Sequence, residues 1–356
     1  MTPDSENLAV WVVTADGLTQ ALKLVAAFPG MTLHVSQNLL PCSAPCVSFR
    51  RLADSVAERF SLFRGHVFIM AVGIVVRVIA PCLTTKTRDP AVVVLDDSGR
   101  YVISLLSGHI GGGNRLTDAI ARKLQATSVI TTATDLHQAP AIDVIAVDHD
   151  LVIENPGLIK IVSMAFLNHT PVGLHDPYHL LDHLPELQDM IPVDISGQTP
   201  PISAMSPMVA VDDRLMQAGP RCLMLRPATL IAGMGCNRNT PADEIQAFLI
   251  ARLQEFRLSL HSLKCIATID IKSDESGLLE AADRLHIPLR FFTREELDAV
   301  ESIPSPSEIV KKYIGVSSVC EAAAILASNR GKIIVPKQIS PNVTLAIART
   351  VFISSD

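Results

Sequence analysis

The sequence predicts an α/β protein: two α/β lobes with mostly parallel sheets flanked by helices, joined by a less regular middle segment. Three observations carry this. Short apolar runs alternate with longer amphipathic runs. The alternation lapses between about residues 138 and 227, where Pro and His become frequent, and then returns. Glycines sit at strand-to-helix junctions in both outer regions.

The elements follow in chain order. "LAVWVV" reads as a strand and "GLTQALKLVAAF" as a helix; "HVFIMAV" is a strand and "GIVVRVIAPCL" a short helix. "AVVVLDDSGRYVISLL" reads as two strands around an Asp-Ser-Gly turn. "SLLSGHIGGGNRLTDAIARKL" is a strand end, a glycine loop and a helix, and "SVITTATD" is the next strand. The domains expected are 1–137, a middle segment 138–227 containing the loop-like "ISGQTPPISAMSPM", and 228–356. In the last, "TLIAGMGCNRN" is a strand running into a glycine-bearing loop. "TPADEIQAFLIARLQEF" is a helix with Thr240 as N-cap, Pro241 at its first position and Asp243 in the capping-box place. "KCIATID", "PLRFF", "KIIVP" and "VTLAIAR" read as strands, and "ESGLLEAADRLH" and "SVCEAAAILASN" as helices.

Composition narrows the function classes. With 48% hydrophobic residues in 356, the chain can bury a sizeable core. A formal net charge of -6 argues against a nucleic-acid binder, while a small anion held by a few local cations stays open. Seven scattered cysteines fit a reducing cytoplasm, and Cys42 and Cys46 form a lone C-x3-C without a partner pair. "MTPDSENLAVWVV" lacks the basic start of a signal peptide. "VFIMAVGIVVRVIAP" is interrupted by Arg77 and too short to span a bilayer, so no membrane partner is expected.

The three adjacent glycines frame the chemical expectation. A strand–glycine loop–helix junction aims backbone N–H groups and a helix dipole at one spot, which suits an anion. Gly108, Gly111, Gly112 and Gly113 do not spell a dinucleotide fingerprint, and no G-K-[ST] follows. His109, Asn114 and Arg115 flank them. A second such stretch places Gly233, Gly235, Cys236, Asn237 and Arg238 before a helix, with Asp270, Lys272 and Asp274 just past a strand end. Two such mouths facing each other would make a cleft for a large anion. Backbone N–H groups of Gly111 to Gly113 could form an oxyanion hole or hold a carboxylate.

Among side chains, His109 suits acid/base work, with an unperturbed pKa of about 6.5; a histidine that only hydrogen-bonds its loop is the alternative. Asp135 could orient a histidine or bind water, or cap the next segment. Arg115, Arg238 and Lys272 are candidate carboxylate clamps. Arg77 reads as a buried structural partner, and Lys86 and Arg88 as a solvated loop. Cys236 and Cys320 read as small packing residues rather than nucleophiles, and Glu321 as a first-turn carboxylate. "HDPYHLLDH" spaces His175, His179 and His183 by four, which in a helix puts His179 and His183 on one polar face.

These words also carry a resemblance. "FIMAVGIVVRVIAP", "DPAVVVLDDSGRYVISLLSGHIGGGNRL" and "VITTATD" resemble the N-terminal domain of the CbiG family, the cobalt-precorrin-5A hydrolases of anaerobic cobalamin biosynthesis. "GMGCNRNTPADEI", "IDIKSDESGLLEAADRLHIPLRFF", "VSSVCEAAAIL" and "IIVPKQ…VTLAIAR" resemble that family's C-terminal domain. The resemblance implies a cobalt-tetrapyrrole substrate bearing a δ-lactone and many carboxylates. Water opens the lactone, a two-carbon fragment leaves as acetaldehyde, and the product is cobalt-precorrin-5B. Cobalt arrives within the substrate, so no cofactor or metal of the protein's own is implied. The implied partners are neighbouring enzymes of the pathway. A non-catalytic corrinoid-intermediate binding or handover protein is the rival reading; a nucleotide-binding oxidoreductase is disfavoured by the missing fingerprint.

Overall fold

The computed structural model describes residues 7–85, 88–109, 111–132, 139–195, 206–217, 219–300 and 318–351. Two compact units emerge, Met1–Val144 and Ile145–Asp356.

The first unit holds a seven-stranded sheet of order β3-β2-β1-β4-β5-β6-β7. Its strands are β1 (Leu8–Val12), β2 (Met31–Ser36), β3 (Val47–Phe49), β4 (Gly65–Ile69), β5 (Ala91–Leu95), β6 (Tyr101–Leu106) and β7 (Thr127–Val129). All pairings are parallel except β5–β6, the hairpin read from Asp-Ser-Gly, where Gly99 takes φ 70°. β1, β4 and β5 are buried along their whole length, which is why they read as unbroken apolar runs. Helices α1 (Ala15–Ala27), α2 (Leu52–Arg59), α3 (Val72–Ile79) and α4 (Gly113–Leu124) flank the sheet, and α5 (Ile142–Asp148) begins at the unit's end. One core packs α1 and α4 residues Leu24, Leu116 and Ile120 against β1, β2 and β5. The opposite core packs α2 and α3 residues Val56, Val75 and Ile79 against Trp11, Phe68 and Val94. Fully burying each such side chain is worth about 1.5–3 kcal/mol. In "SVITTATD", the described residues Ser128 and Val129 belong to β7 (Thr127–Val129), and residues 133–135 lie outside the described residues.

The second core contains two buried histidines whose neutrality is structural. His66 Nδ1 accepts from Trp11 Nε1 at 3.0 Å, and its Nε2 lies 3.0 Å from the Phe60 carbonyl. A neutral ring protonated on Nε2 satisfies both; a second proton would oppose the indole N–H. His34 stacks on Trp11 with ring centroids 4.0 Å apart. Burial lowers both pKa values from 6.5 to about 4, with Arg59 and His66 adding to the effect on His34. Because the unfolded chain then binds more protons than the folded one, stability is full above pH 6.5 and falls as pH drops toward 4. Each histidine should cost on the order of 2 kcal/mol by pH 5. Urea midpoints at pH 7 and pH 5 test this, with His34→Phe expected to flatten part of the slope. Equal midpoints at the two pH values would refute it.

The second unit carries two five-stranded sheets. The first has the order β10-β9-β11-β12-β8, built from β8 (Leu151–Ile153), β9 (Gly173–His175), β10 (Ile191–Pro192), β11 (Met208–Val211) and β12 (Cys222–Pro227). Its pairings are parallel apart from β12–β8, and α6 (Ile159–Leu167) belongs to the same region. The second has the order β15-β14-β13-β17-β16, built from β13 (Leu230–Cys236), β14 (Leu263–Ile269), β15 (Leu289–Phe292), β16 (Lys332–Ile339) and β17 (Val343–Arg349). β13–β14 and β14–β15 are parallel, whereas β17 runs antiparallel to both its neighbours. Helices α7 (Ala242–Glu255), α8 (Ser276–Leu285), α9 (Arg294–Asp298) and α10 (Val319–Ala327) cover it.

Three expectations change here. The "GMGC" glycines lie in β13, not in a loop. A Cβ on Gly233 would sit 1.8 Å from the Cys320 carbonyl oxygen, so this glycine exists to let α10 lie directly on the strand. Thr240 does not cap α7. Its hydroxyl donates to the Asn237 carbonyl at 2.8 Å, and Pro241 holds the cap position without a side-chain bond. "HDPYHLLDH" is not a helix: His175 ends β9, buried, and His179 has φ 56°. His175 Nε2 instead meets Asp212 Oδ2 at 3.1 Å.

Candidate functional site

In the first unit the glycine loop links β6 to α4 and folds on itself. Gly112 takes the N-cap of α4 with φ 78°, which a residue with a side chain adopts only with strain. Its N–H donates to the His109 carbonyl at 2.8 Å, the Gly113 N–H to the Ser107 carbonyl at 3.1 Å, and the Asn114 N–H to the Gly108 carbonyl at 2.9 Å. The expected oxyanion hole therefore does not stand in that form, because the Gly112 and Gly113 amides are already satisfied. Gly111 is the one of the three whose N–H has no acceptor among the described residues.

Asn114 is buried, and its amide ties three segments together. Its Oδ1 accepts from Ser104 Oγ on β6 at 2.7 Å, and its Nδ2 donates to Thr132 Oγ1 at 3.1 Å. It thus holds the loop in place. Arg115 is exposed in the first turn of α4. That turn carries no acidic side chain, so the positive end of the helix is not neutralised from within.

His109 is 11% exposed, and its Nδ1 stands 3.4 Å from Oδ2 of Asp143, itself 3% exposed. Asp143 sits in the first turn of α5, where its Oδ1 accepts the Val144 N–H at 3.1 Å. Burial alone would raise its carboxyl pKa. The hydrogen bond and charge of His109, with backbone N–H groups, outweigh that and hold it below the ordinary carboxylate range. Asp135, expected as a second catalytic group, lies outside the described residues, as does Lys86. Asp143 was not anticipated. Its only sequence signal is an acidic residue opening a helix in "AIDVIAVD", which marks a helix start and says nothing of a histidine 34 positions earlier.

In the second unit the end of β13 meets the turn after β14. Arg238 Nη1 pairs with Asp274 Oδ1 at 2.5 Å, its Nη2 donates to the Ile271 carbonyl at 2.9 Å, and Glu275 Oε2 is 3.6 Å away. Lys272 Nζ lies 3.3 Å from the same Glu275 oxygen, and the Asn239 N–H donates to the other oxygen at 2.8 Å. Arg238 and Lys272, expected as clamps, are thus brought together but already face carboxylates of this chain. Glu275 is buried at their centre. Asp270 is exposed at the same turn and enters no ion pair among the described residues. Asn237 turns away, its Nδ2 3.1 Å from Asn342 Oδ1 in the β16–β17 hairpin. Gly235 pairs with Thr344, whose Oγ1 is 2.8 Å from where a Cβ on the glycine would be. Burial pushes the Cys236 thiol up, so it is no ready thiolate, and Cys320 is raised the same way. Asp243 and Glu244 occupy the first turn of α7, supplying negative charge where an external anion was expected. The anion-accepting character is therefore stronger at the α4 loop than at the α7 end.

Among the described residues no group of three or more His, Cys, Asp or Glu side chains is arranged to hold a metal ion, and no helix is long and apolar enough to cross a membrane.

Three family models match in succession: the cobalamin synthesis G N-terminal region over residues 54–135, the cobalamin biosynthesis central region over 140–227, and the cobalamin synthesis G C-terminus over 230–348. The chain belongs to the CbiG family. Two curated relatives extend the match over most of its length. A cobalt-precorrin-5A hydrolase of Priestia megaterium is 35% identical over 312 residues, covering 85% of this chain and 82% of that one. A cobalt-precorrin-5A hydrolase of Salmonella typhimurium is 33% identical over 335 residues, covering 92% and 93%. Protein CobE of Sinorhizobium sp is 35% identical over 123 residues, 34% of this CbiG-family chain and 80% of CobE. The His109 loop, residues 107–112, falls within the N-terminal match; Asp143 falls within the central one.

Proposed function

We infer that this chain is a cobalt-precorrin-5A hydrolase of cobalamin biosynthesis. The observation that carries the reading is the pair of relatives so named, 33–35% identical over most of both partners, alongside family models spanning all three regions. The α4 loop supports the chemistry. Lactone hydrolysis needs a group that takes a proton from water as it adds to the carbonyl, and a donor for the oxyanion that forms. His109 is the proton-handling group in this reading, and the Gly111 N–H, which has no acceptor among the described residues, is the amide offered to an oxygen anion. When the carbon–carbon bond breaks and acetaldehyde leaves, the carbon left behind takes a proton, which the protonated imidazole can return. Arg115, exposed in the first turn of α4, is the cation this reading assigns to a substrate carboxylate.

The reading carries with it a cytoplasmic enzyme whose partners are the neighbouring enzymes of the pathway. Cobalt is carried in by the substrate and no cofactor is required. The test is to incubate the purified chain with cobalt-precorrin-5A and follow acetaldehyde release and lactone opening separately. Both should appear at rates proportional to enzyme. Tight binding without either product would overturn the reading in favour of a handover protein.

A further inference from the structure

We propose that Asp143 is a positioning residue that fixes the tautomer of His109, placing the ring proton on Nδ1 and leaving Nε2 as the proton acceptor. In the hydrolase reading, on which this rests for its meaning in turnover, His109 handles the proton; the tautomer itself is a property of the chain alone.

The two oxygens of Asp143 are divided between two tasks. Oδ1 is held by the Val144 N–H at 3.1 Å, at the start of α5, and Oδ2 faces His109 Nδ1 at 3.4 Å. An ionised carboxylate only accepts hydrogen bonds, so the ring nitrogen facing it must be the donor. In the neutral ring this puts the proton on Nδ1 and the lone pair on Nε2. Both side chains are nearly excluded from water, at 11% and 3% exposure, so solvent does not compete effectively for either. The backbone around the ring is fixed as well. The His109 carbonyl accepts the Gly112 N–H, and Asn114 pins the loop to Ser104 and Thr132. When Nε2 takes a proton, the buried carboxylate stands beside the imidazolium and stabilises it without moving. This arrangement does for a loop histidine what the buried aspartate does in hydrolase triads.

Asp143→Asn is the discriminating change. The amide keeps an oxygen for Val144 and puts an NH2 group opposite Nδ1. A donor there forces the lone pair onto Nδ1 and the proton onto Nε2, inverting the tautomer. Imidazole 15N–1H correlation spectra of the full chain at alkaline pH read this directly, with the His109 signal assigned by its loss in His109→Gln. The wild-type ring should carry its proton on Nδ1, Asp143→Asn should carry it on Nε2, and Asp143→Ala should show a mixture. In turnover, Asp143→Asn should lower kcat roughly 10²–10⁴-fold with KM changed less than about threefold. A wild-type ring protonated on Nε2 overturns the assignment even if neither variant folds, and so does a tautomer unchanged in both variants. An inverted tautomer with normal kcat removes Asp143 from catalysis. If the wild type shows the expected tautomer but no turnover, the hydrolase reading fails while the His109–Asp143 assignment stands.

Discussion

His109→Ala is expected to slow turnover of cobalt-precorrin-5A by roughly 10²–10⁴-fold, the usual worth of a positioned acid/base, while the chain still folds and binds substrate. Folding should survive because the loop is built from backbone. The His109 carbonyl, Ser107 carbonyl and Gly108 carbonyl make its hydrogen bonds, and Asn114 supplies the side-chain anchor. What the substitution removes is the imidazole facing Asp143. His109→Asn restores a hydrogen-bonding side chain but not a group that can take and return a proton near neutral pH, so it should be as slow as the alanine variant. Acetaldehyde release and lactone opening, followed separately, show which step depends on the ring. Near-normal turnover in His109→Ala would take the histidine out of the mechanism.

Asp213→Ala should be the most destabilising single change at a polar residue of the second unit, costing about 3–5 kcal/mol, the range for removing one partner of a buried ion pair. Asp213 is fully buried where the two sheets of that unit join. Arg349, the last residue of β17, grips it with Nε at 2.6 Å and Nη2 at 2.8 Å. Thr229 Oγ1 donates to it at 2.6 Å and Tyr178 OH at 2.9 Å. Burial and the charges of Asp213 and Asp212 push the Tyr178 phenol well up, so its hydroxyl stays a donor. Alanine would strand a guanidinium and two hydroxyls at once. Urea denaturation of Asp213→Ala gives the loss, and Asp213→Leu, Arg349→Met and the double variant Asp213→Leu with Arg349→Met close the cycle. The apolar pair should recover much of the loss, since a filled apolar site lacks the desolvation cost. A loss under about 1 kcal/mol in Asp213→Ala would mean the network is not what joins the sheets.

The legible parts of the molecule are those whose signal is local. "LAVWVV", "KCIATID" and "VTLAIAR" are strands buried on both faces or nearly so, and a buried strand has to be apolar wherever it sits. The turn at Gly99 and the loop at Gly112 announce themselves because positive φ selects glycine. The illegible parts are those whose partner is far along the chain. Gly235 and Cys236 look like the start of a loop; their strand character comes from pairing with Thr344 and Val343, more than 100 positions later. Gly233 looks like an anion-site glycine until α10 is found lying on it. His175 has the spacing of a helix face, but it ends a strand and is claimed by Asp212.

The same division runs through the candidate site. The sequence alone determined that a histidine would stand in a glycine loop ahead of a helix, because loop and helix start are written within about ten neighbouring residues. Its quoted words also pointed to the family. Only the tertiary structure decided which polar groups remain available for a ligand. It satisfied the Gly112 and Gly113 amides internally, opposed Arg238 and Lys272 with Asp274 and Glu275, and set Asp143 against His109. Periodicity and turn chemistry act over a few residues and can be read in order. Hydrogen bonds and ion pairs act over about 3–4 Å of space, and which residues come that close is set by how the sheet and its helices fold the chain back on itself.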